Sequence, residues 1–163
     1  FGNKYFKANK KVNFYLGDIN QPPKKINNNF DIVFSCNVLL HLPSIDKALK
    51  NLIRSSKKYC VIRTLISDKT HLSKYLYSDS FDKMGKPKDF VYQNTYSYNY
   101  FKKIIKSCGR YKIKFLEDKF ESKKINSEYK MYKNKQGAVT QVMDKIQLAG
   151  SKVFQWKWVI IKK

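Results

Sequence analysis

The chain has 163 residues, a length that allows one domain with a hydrophobic core and excludes two full-sized ones. Hydrophobic residues make up 42% and aromatic residues 15% of the sequence, which excludes a disordered composition. The formal net charge is +22 from 34 basic and 12 acidic residues, and this charge would attract nucleic acid or other acidic ligands. However, nearly all the basic residues are lysine, whereas phosphate and base recognition favour arginine. Biased codon usage therefore explains the charge without a nucleic-acid partner.

The first predicted strand runs from Val12 to Ile19, where apolar side chains alternate with others before a Gly-Asp turn. A loop rich in proline and asparagine follows over Gln21–Asn29. The nearly continuous apolar run Asp31–Cys36 predicts a second strand, of the kind that is covered on both faces in a parallel sheet.

An amphipathic helix is predicted next, over Ile45–Arg54, with its apolar residues on one face. We expect Ser44 to cap its N-terminus, and Asp46 in the first turn suits the helix dipole. The apolar run Tyr59–Ile66 predicts another buried strand. Strand, helix and strand in succession form a βαβ unit, which predicts a parallel sheet with helices on both faces.

Two insertions are predicted in the second half, at about 67–96 and 119–152. Between them, the pattern predicts a helix over Tyr98–Cys108 that ends at Gly109. A strand is predicted after it, over Tyr111–Glu117.

The end of the chain contains two further predicted features. The second insertion is expected to include a short helix or hairpin around Gly137–Leu148. The run Val153–Ile161 predicts a terminal strand with aromatic side chains.

The cysteines and histidines do not form a metal-binding or disulfide pattern. The sequence has three cysteines without CxxC spacing and two histidines. Its apolar runs are shorter than the ~20 residues that span a bilayer. We therefore expect no metal site, no membrane span and a cytoplasmic location.

Two segments at fixed spacing resemble the class I S-adenosylmethionine-dependent methyltransferases of the small-molecule type. The first is Leu16-Gly17-Asp18-Ile19, and the second extends from Phe30 ("FDIV") to Leu42 ("VLLHL"). The helix and strand that follow continue the resemblance, which covers the chain from about residue 10 to 66 and is weak afterwards. The resemblance implies an α/β fold with a Rossmann-like sheet, mostly parallel with an antiparallel terminal strand, in a single domain over residues 1–163.

The sequence departs from this family at the cofactor loop. The glycine-rich turn after the first strand and the acidic residue after the second are missing, and Gly2 stands alone. We therefore expect a partial domain that lacks the first strands. Residues upstream, a partner that covers the exposed edge, and a defective remnant are the alternatives that explain this departure.

The resemblance also implies a cofactor, S-adenosyl-L-methionine, and residues that contact it. Asp18 and Ile19 would contact the adenine, while Asn37 and Val38 would approach the methionine portion. His41 would lie near the methyl-transfer region as a candidate catalytic base. The structural alternatives are that Asp18 shapes a turn, that Asn37 satisfies local backbone groups, and that His41 packs near the helix start.

The acceptor is expected to contact the first insertion, since loops over a rigid sheet usually supply specificity. Tyr92, Asn94 and Tyr96 are the candidate substrate-binding residues, because they combine a hydroxyl, an amide and aromatic faces. Alternatively, the tyrosines belong to the core, and Thr95 or Ser97 caps the following helix. Three further candidates lie in the same insertion: His71, Tyr75 and Tyr77.

The implied reaction is methyl transfer to an O or N atom of a small-molecule or glycan-like acceptor. The absence of an obvious catalytic triad does not count against it, since methyl transfer depends mainly on alignment of the reactants. Two alternatives stay open: a non-catalytic, basic nucleic-acid-binding module and an inactive methyltransferase-like scaffold. The sequence gives neither the acceptor nor the oligomeric state.

Overall fold

The computed structural model describes residues 11–23, 26, 30–76, 80–118, 140–143, 146–149 and 152–163. Ten strands and two α-helices lie within these ranges, together with one short 3₁₀ helix. In chain order the elements are β1 (Phe30–Cys36), the 3₁₀ helix (Leu39–His41), α1 (Asp46–Ser55), β2 (Ser56–Ser67), β3 (Lys74–Leu76), β4 (Phe90–Tyr92), β5 (Tyr96–Ser97), α2 (Tyr98–Cys108), β6 (Lys112–Glu117), β7 (Thr140–Met143), β8 (Ile146–Ala149), β9 (Lys152–Phe154) and β10 (Trp156–Lys162).

The main sheet has the strand order β1-β2-β10-β6, with β5 beside the end of β2. Strands β1 and β2 are parallel, and β10 lies antiparallel between β2 and β6. The predicted βαβ unit and the antiparallel terminal strand are therefore confirmed. The terminal strand is interrupted at Gln155, which separates β9 from β10.

The two predicted insertions contain small antiparallel sheets. The first holds the pair β3–β4, and the second holds the pair β7–β8, which is extended by β9 at the start of the predicted terminal strand. The hairpin predicted around Gly137–Leu148 is confirmed over its described residues, because Thr140–Met143 pairs with Ile146–Ala149.

Helix α2 has the predicted bounds, and local chemistry explains both ends. At its start, Ser97 Oγ accepts a hydrogen bond of 3.2 Å from the backbone N–H of Tyr100. This cap is the alternative expected for Ser97. At its end, Gly109 has φ 152°, and a Cβ there would lie 2.7 Å from the Tyr111 hydroxyl oxygen, so only glycine fits.

The strand predicted over Val12–Ile19 is wrong. Residues 12–17 are not in a strand, and Asp18 forms only an isolated bridge with Gln21. A strand needs a neighbour to satisfy its backbone N–H and C=O groups, and none lies beside this segment among the described residues. The side chains of Tyr15 and Leu16 accordingly remain exposed.

The predicted cap of the first helix is also wrong. Helix α1 begins at Asp46, its N-cap is Ile45, and no side chain caps it. Ser44 therefore precedes the helix without bonding to it. The carbonyl of Ile45 still accepts the first backbone bond, from Leu49 at 2.8 Å, and Ile45 itself is buried. Burial of this apolar side chain fixes the helix start in place of a hydroxyl cap.

The two α-helices pack on the same face of the main sheet, which corrects the prediction of helices on both faces. Both crossovers, β1-α1-β2 and β5-α2-β6, run over that side. The core lies between the helices and this face, and its members include Leu49, Ile53, Cys60, Ile62, Phe101, Ile105, Val159 and Ile161. Side chains alternate between the faces of a strand, so Ile32 and Phe34 lie on the other face, where they are 61% and 59% exposed.

None of the helices in the described ranges has the length and apolar character to cross a bilayer. The same part of the chain holds no group of three His, Cys, Asp or Glu residues placed to bind a metal ion.

Candidate functional site

Three strand ends lie along one edge of the main sheet. Strands β1, β2 and β6 run in the same direction, because β10 is antiparallel to both β2 and β6. Open α/β sheets bind their ligands outside the carboxyl ends of their strands. We call this edge the carboxyl edge, and the residues that follow β1 and β6 form its surface.

Asn37 and Val38 follow β1 at the carboxyl edge. Asn37 has φ 57°, the left-handed conformation that asparagine tolerates better than most residues. Val38 is 40% exposed, and Cys36 is exposed as well. The structure therefore brings the two predicted methionine-contacting residues to the surface of this edge.

Arg63 connects the strand ends at this edge. Its Nε and Nη2 atoms lie 2.6 and 2.5 Å from Oδ2 of Asp118, the residue after β6. Its Nη1 atom donates to Oδ1 of Asn37 at 2.7 Å. The guanidinium carbon lies 4.1 Å from the ring centroid of Trp156, at the start of β10. One side chain thus contacts residues at the ends of β1, β6 and β10 from its place in β2.

Sequence reasoning missed Arg63, Asp118 and Trp156. A signal was present for one of them, because Arg63 is the only charged residue within the predicted strand Tyr59–Ile66. Arginine is almost never buried unless it is paired, so a charge in a buried strand predicts a partner. The partner itself, 55 positions away in Asp118, could not be read from the pattern.

Two buried hydroxyl groups lie just beneath the carboxyl edge. Ser35 and Thr64 lie on the helix-covered face near the ends of β1 and β2, and they are 5% and 0% exposed. Neither Oγ of Ser35 nor Oγ1 of Thr64 has a hydrogen-bond partner within the described part of the chain. Buried hydroxyls without partners are uncommon, and they point to a polar group that the described residues do not supply.

His41 lies at the end of the 3₁₀ helix, and its side chain is exposed. Its Nδ1 atom lies 2.8 Å from the backbone oxygen of Tyr92 in β4. Because a carbonyl oxygen only accepts, the neutral ring carries its proton on Nδ1 and keeps the Nε2 lone pair as an acceptor. The bond to Tyr92 therefore fixes the orientation of the His41 ring. Tyr92 belongs to the first insertion and is one of the residues predicted to bind the methyl acceptor.

Asn94 is buried, and its side chain forms hydrogen bonds with three other residues. Its Nδ2 atom donates to the Leu42 carbonyl at 2.9 Å and to the Tyr96 hydroxyl at 3.1 Å. Its Oδ1 atom accepts from the Ser73 N–H at 3.0 Å, and the residue is fully buried. Asn94 therefore holds the insertion against the loop before α1, and its amide is not presented to an acceptor in this structure.

Tyr96 is nearly as buried, at 2% exposure. Its hydroxyl lies 3.4 Å from the Leu39 carbonyl. Burial raises the pKa of the Tyr96 hydroxyl, while the hydrogen bond from Asn94 opposes that rise. The phenol therefore stays neutral and acts as a hydrogen-bonding core residue, which agrees with the structural alternative for this tyrosine.

A cavity of about 340 Å³ opens between the start of α1 and the first turn of α2. The rings of Tyr96 and Tyr100 are stacked there, with centroids 6.0 Å apart. The other residues that line the cavity are Pro43, Ser44, Ile45, Thr70 and Leu72. Aromatic and hydroxyl groups together suit an acceptor with one apolar face and a polar rim.

Asp18 and Ile19 line a different cleft, of about 290 Å³, together with Phe30 and Ser55. The Ile19 carbonyl accepts a bond of 3.0 Å from Nδ2 of Asn51 in α1. Phe30 begins β1, and at about 3.3 Å per residue its seven residues separate the strand ends by about 20 Å. The structure therefore does not bring Asp18 and Ile19 together with Asn37 and Val38.

The Asp18 carboxylate also has a local role. Its Oδ1 atom accepts from the Asn20 backbone N–H at 2.8 Å and from the Asn20 side chain at 3.2 Å. The backbone N–H of Gln21 donates to the Asp18 carbonyl at 2.9 Å. These bonds agree with the structural alternative, in which Asp18 shapes a turn.

The remaining candidates of the insertion are His71, Tyr75 and Tyr77. His71 exchanges backbone hydrogen bonds with Thr95, of 2.8 and 2.9 Å. Tyr75 lies in β3 and is 38% exposed. Tyr77 lies outside the described residues.

Comparison with known proteins supports this fold. Residues 2–62 match the sequence profile of a family described as a methyltransferase domain. No curated protein sequence matches the chain. An S-adenosylmethionine-dependent methyltransferase from Methanosarcina mazei is similar in structure, with a TM-score of 0.52 and 11% identity over 92% of this chain and 66% of that one.

A second similar structure is the [4+2]-cyclase SpnF, with a TM-score of 0.50 and 11% identity over 99% of this chain and 59% of that one. The chain thus spans less than two thirds of the length of both structures. A cyclase and a methyltransferase share the sheet, so the fold alone does not fix the reaction. The sheet therefore has the Rossmann-like fold seen in S-adenosylmethionine-dependent methyltransferases, and residues 2–62 are similar in sequence to a methyltransferase domain.

Proposed function

We propose that the protein transfers a methyl group from S-adenosyl-L-methionine to an O or N atom of a small-molecule or glycan-like acceptor. The observation that carries this proposal is the carboxyl edge after β1. There a left-handed Asn37 and an exposed Val38 follow the strand, and open α/β sheets bind their ligands outside the carboxyl ends of their strands, which supports the proposal. The match of residues 2–62 to a methyltransferase domain includes this segment.

The residues at the carboxyl edge fit the amino-acid portion of the cofactor. Backbone groups at Asn37 and Val38 would hold it, and the unpartnered hydroxyl of Ser35 supports a polar ligand close by. The sequence itself has no glycine-rich turn for the rest of the molecule. The predicted adenine contacts, Asp18 and Ile19, stay part of the proposal, although in this structure they lie near the opposite end of β1.

The cofactor supplies a methyl group activated by a sulfonium, which leaves alignment and proton removal to the protein. Asn37 and Val38 would orient the bound molecule at the carboxyl edge. His41 would accept the proton of the acceptor O–H or N–H group at Nε2, the atom that its bond to Tyr92 leaves as an acceptor.

The acceptor would bind in the cavity lined by Tyr96 and Tyr100 or against Tyr92 beside His41. Stacked aromatic faces next to hydroxyl groups are suited to sugar rings and to small polar molecules. We further propose a cytoplasmic location. The three cysteines are free, which suits a reducing compartment.

A thermal shift assay with S-adenosylmethionine tests the proposal. A ligand at 100 times its dissociation constant adds about 2.7 kcal/mol to the free energy of unfolding. For a protein of this size we expect the Tm to rise by about 5–10 °C. Asn37→Ala should abolish most of the rise, and Asp31→Asn, at the other end of β1, should keep it. No rise in the folded protein would leave the inactive scaffold or the basic nucleic-acid-binding module as the function.

The same assay separates the two predicted contact sets. Asp18→Ala should reduce the Tm rise if the Asp18 cleft joins the site when the cofactor binds. If Asp18→Ala leaves the rise unchanged while Asn37→Ala removes it, the adenine contacts are assigned to other residues. Asn20 would be the next residue to substitute, since it bonds to Asp18 in the same turn.

A basic nucleic-acid-binding module is the second candidate function, and the uncovered sheet face supports it. The rings of Phe34 and Trp158 lie 5.6 Å apart on that face, and strand register places Lys112, Lys114 and Lys162 on it. Aromatic rings among lysines bind single strands by stacking and charge. If 6–10 phosphates are contacted, affinity should fall by about 10³–10⁵ between 50 and 200 mM salt. Binding of a small cofactor should barely respond to that change.

A further inference from the structure

Arg63 occupies an unusual place for a charged residue. It lies in the central strand β2, it has neighbours Ile62 and Thr64 in the core, and its side chain is only 12% exposed. Burial of a charge is unfavourable unless the charge is paired and hydrogen-bonded. Arg63 meets this condition with Asp118, whose side chain is 17% exposed, and with the face of Trp156.

An ion pair at a buried position is weak evidence of a role in stability. Buried ion pairs can often be replaced by apolar residues of similar volume without loss of stability. The neighbours of Arg63 on the same face of β2 are Val61 and Leu65, which are apolar. An ion pair at the carboxyl edge therefore suggests a role in fixing geometry there.

The geometry that Arg63 fixes is that of Asn37. The backbone oxygen of Arg63 accepts the Asn37 N–H at 3.0 Å, and its guanidinium donates to Asn37 Oδ1 at 2.7 Å. One residue thus binds both the backbone and the side chain of Asn37. Asn37 has φ 57°, a conformation that non-glycine residues seldom adopt without support.

Asp118 in turn fixes Arg63. Its Oδ2 atom receives both Nε and Nη2, which leaves Nη1 pointing to Asn37. A guanidinium holds this fork as a rigid plane, whereas a lysine ammonium has no fixed directions. The chain of contacts therefore runs from Asp118 through Arg63 to Asn37 and to the peptide that joins Asn37 to Val38.

We propose that Arg63, held by Asp118, is a positioning residue that keeps Asn37 and Val38 in the conformation that binds the cofactor. This inference rests on the proposed function. In this proposal Arg63 acts on cofactor binding through Asn37, so its effect on affinity must disappear once the Asn37 side chain is removed. A purely structural ion pair would instead lower stability and leave the affinity of the folded protein unchanged.

A double-mutant cycle on the full chain tests this dependence, with the dissociation constant for S-adenosylmethionine as the readout. Arg63→Lys keeps the charge beside Asp118 but loses the fork, and we expect about tenfold weaker binding. Asn37→Gly removes the acceptor and tolerates the left-handed backbone, with a loss of about tenfold as well. The double variant should also lose about tenfold, not a hundredfold, because the two changes break one interaction.

Asp31→Asn is the matched control, since it removes an exposed ion pair, with Lys58, at the other end of β1. It should bind the cofactor as the unchanged protein does. Independent, multiplied losses in the double variant would overturn the proposal, as would unchanged affinity in Arg63→Lys. If Arg63→Lys does not fold, Asn37→Gly alone decides, and an unchanged dissociation constant in that variant overturns the proposal.

The unliganded protein gives a second readout that separates this proposal from the proposed function. Backbone ¹³C chemical shifts of Asn37 report its left-handed conformation by NMR. If the unchanged protein fails to bind S-adenosylmethionine, the proposed function fails. The chemical shifts still test whether Arg63 keeps Asn37 in its left-handed conformation. Arg63→Lys should move these shifts away from left-handed values, and identical shifts in the variant overturn the positioning role.

Discussion

The Nδ1 atom of His41 lies 2.8 Å from the carbonyl oxygen of Tyr92, across 51 positions of sequence. The contact joins the 3₁₀ helix after β1 to strand β4 of the first insertion. It fixes the ring of an exposed histidine near the carboxyl edge and leaves Nε2 as the acceptor in the neutral form. A base that is oriented by a backbone carbonyl is prepared to take a proton from a bound acceptor.

We predict that His41→Gln lowers kcat for methyl transfer by about 10²–10⁴-fold, the usual contribution of a general base. The Tm rise with S-adenosylmethionine should persist, because the proposed role of His41 concerns the acceptor and not the cofactor. The measurement is transfer of a labelled methyl group to a panel of small hydroxyl, amine and sugar acceptors. Lys58→Gln, at the far end of the sheet, is the control and should keep full activity. Equal activity of His41→Gln and the unchanged protein would contradict the assignment.

Asn94 is predicted to contribute to stability more than any exposed polar residue of the insertion. Asn94→Ala leaves the partly buried Leu42 carbonyl and Ser73 N–H without the Asn94 side chain as their partner. We expect the free energy of unfolding to fall by roughly 2–4 kcal/mol, measured by urea denaturation. Asn99→Ala, on the exposed side of α2, is the matched control and should be neutral or slightly stabilising. A neutral Asn94→Ala would mean that the insertion is held by other contacts.

The sequence alone predicted the elements that have continuous or periodic apolar patterns. The apolar runs of β1 and β2 and the stripe of α1 identified the βαβ unit, although β1 is covered on one face only. The bounds of α2 were predicted correctly, since Ser97 and Gly109 mark its ends with local chemistry.

The rest depended on contacts between distant residues, which no local pattern encodes. Val12–Ile19 has the alternation of a strand, but a strand exists only where a neighbour pairs with it. The Arg63–Asp118 ion pair joins residues 55 positions apart. The placement of Asp18 near Phe30, away from Asn37, likewise follows from how the loop returns to the sheet, and the spacing of these residues does not define that path.

The two faces of the main sheet differ in burial at Ile62 and Ile32, which gives a prediction with a matched comparison. Ile62 lies on the helix-covered face at 0% exposure, whereas Ile32 lies on the other face at 61%. Ile62→Ala should lower the free energy of unfolding by roughly 2–5 kcal/mol, because it removes packed atoms and leaves a cavity. Ile32→Ala should change it by less than about 0.5 kcal/mol. Denaturant titration of both variants measures the difference.

The result for Ile32→Ala also tests whether the second face is covered in solution. A loss as large as that of Ile62→Ala would contradict an exposed face. It would mean that another copy of the chain or another segment packs against Ile32 and Phe34. A dependence of that loss on protein concentration would identify a second copy as the cover.

Cys60 provides a prediction about pH. It lies on the covered face of β2 at 1% exposure, and burial raises the pKa of its thiol to about 12, against a smaller opposing effect of Lys163. A thiol that is harder to ionise in the folded protein than in the unfolded chain stabilises the fold below the unfolded pKa of about 8.5. This contribution is lost as the pH rises from there towards 12, because the unfolded chain releases the proton first.

We therefore expect the free energy of unfolding to fall by roughly 1 kcal/mol per pH unit above pH 9 through this thiol. Comparison of the unchanged protein with Cys60→Ala isolates the effect, since the variant should lose that part of the slope while other groups titrate equally in both. Alkylation gives an independent measurement in the folded protein at pH 9. Iodoacetamide should modify the exposed Cys36 rapidly and Cys60 only after unfolding. Equal rates at the two cysteines, or identical slopes for the two proteins, would show that Cys60 is not held neutral in the core.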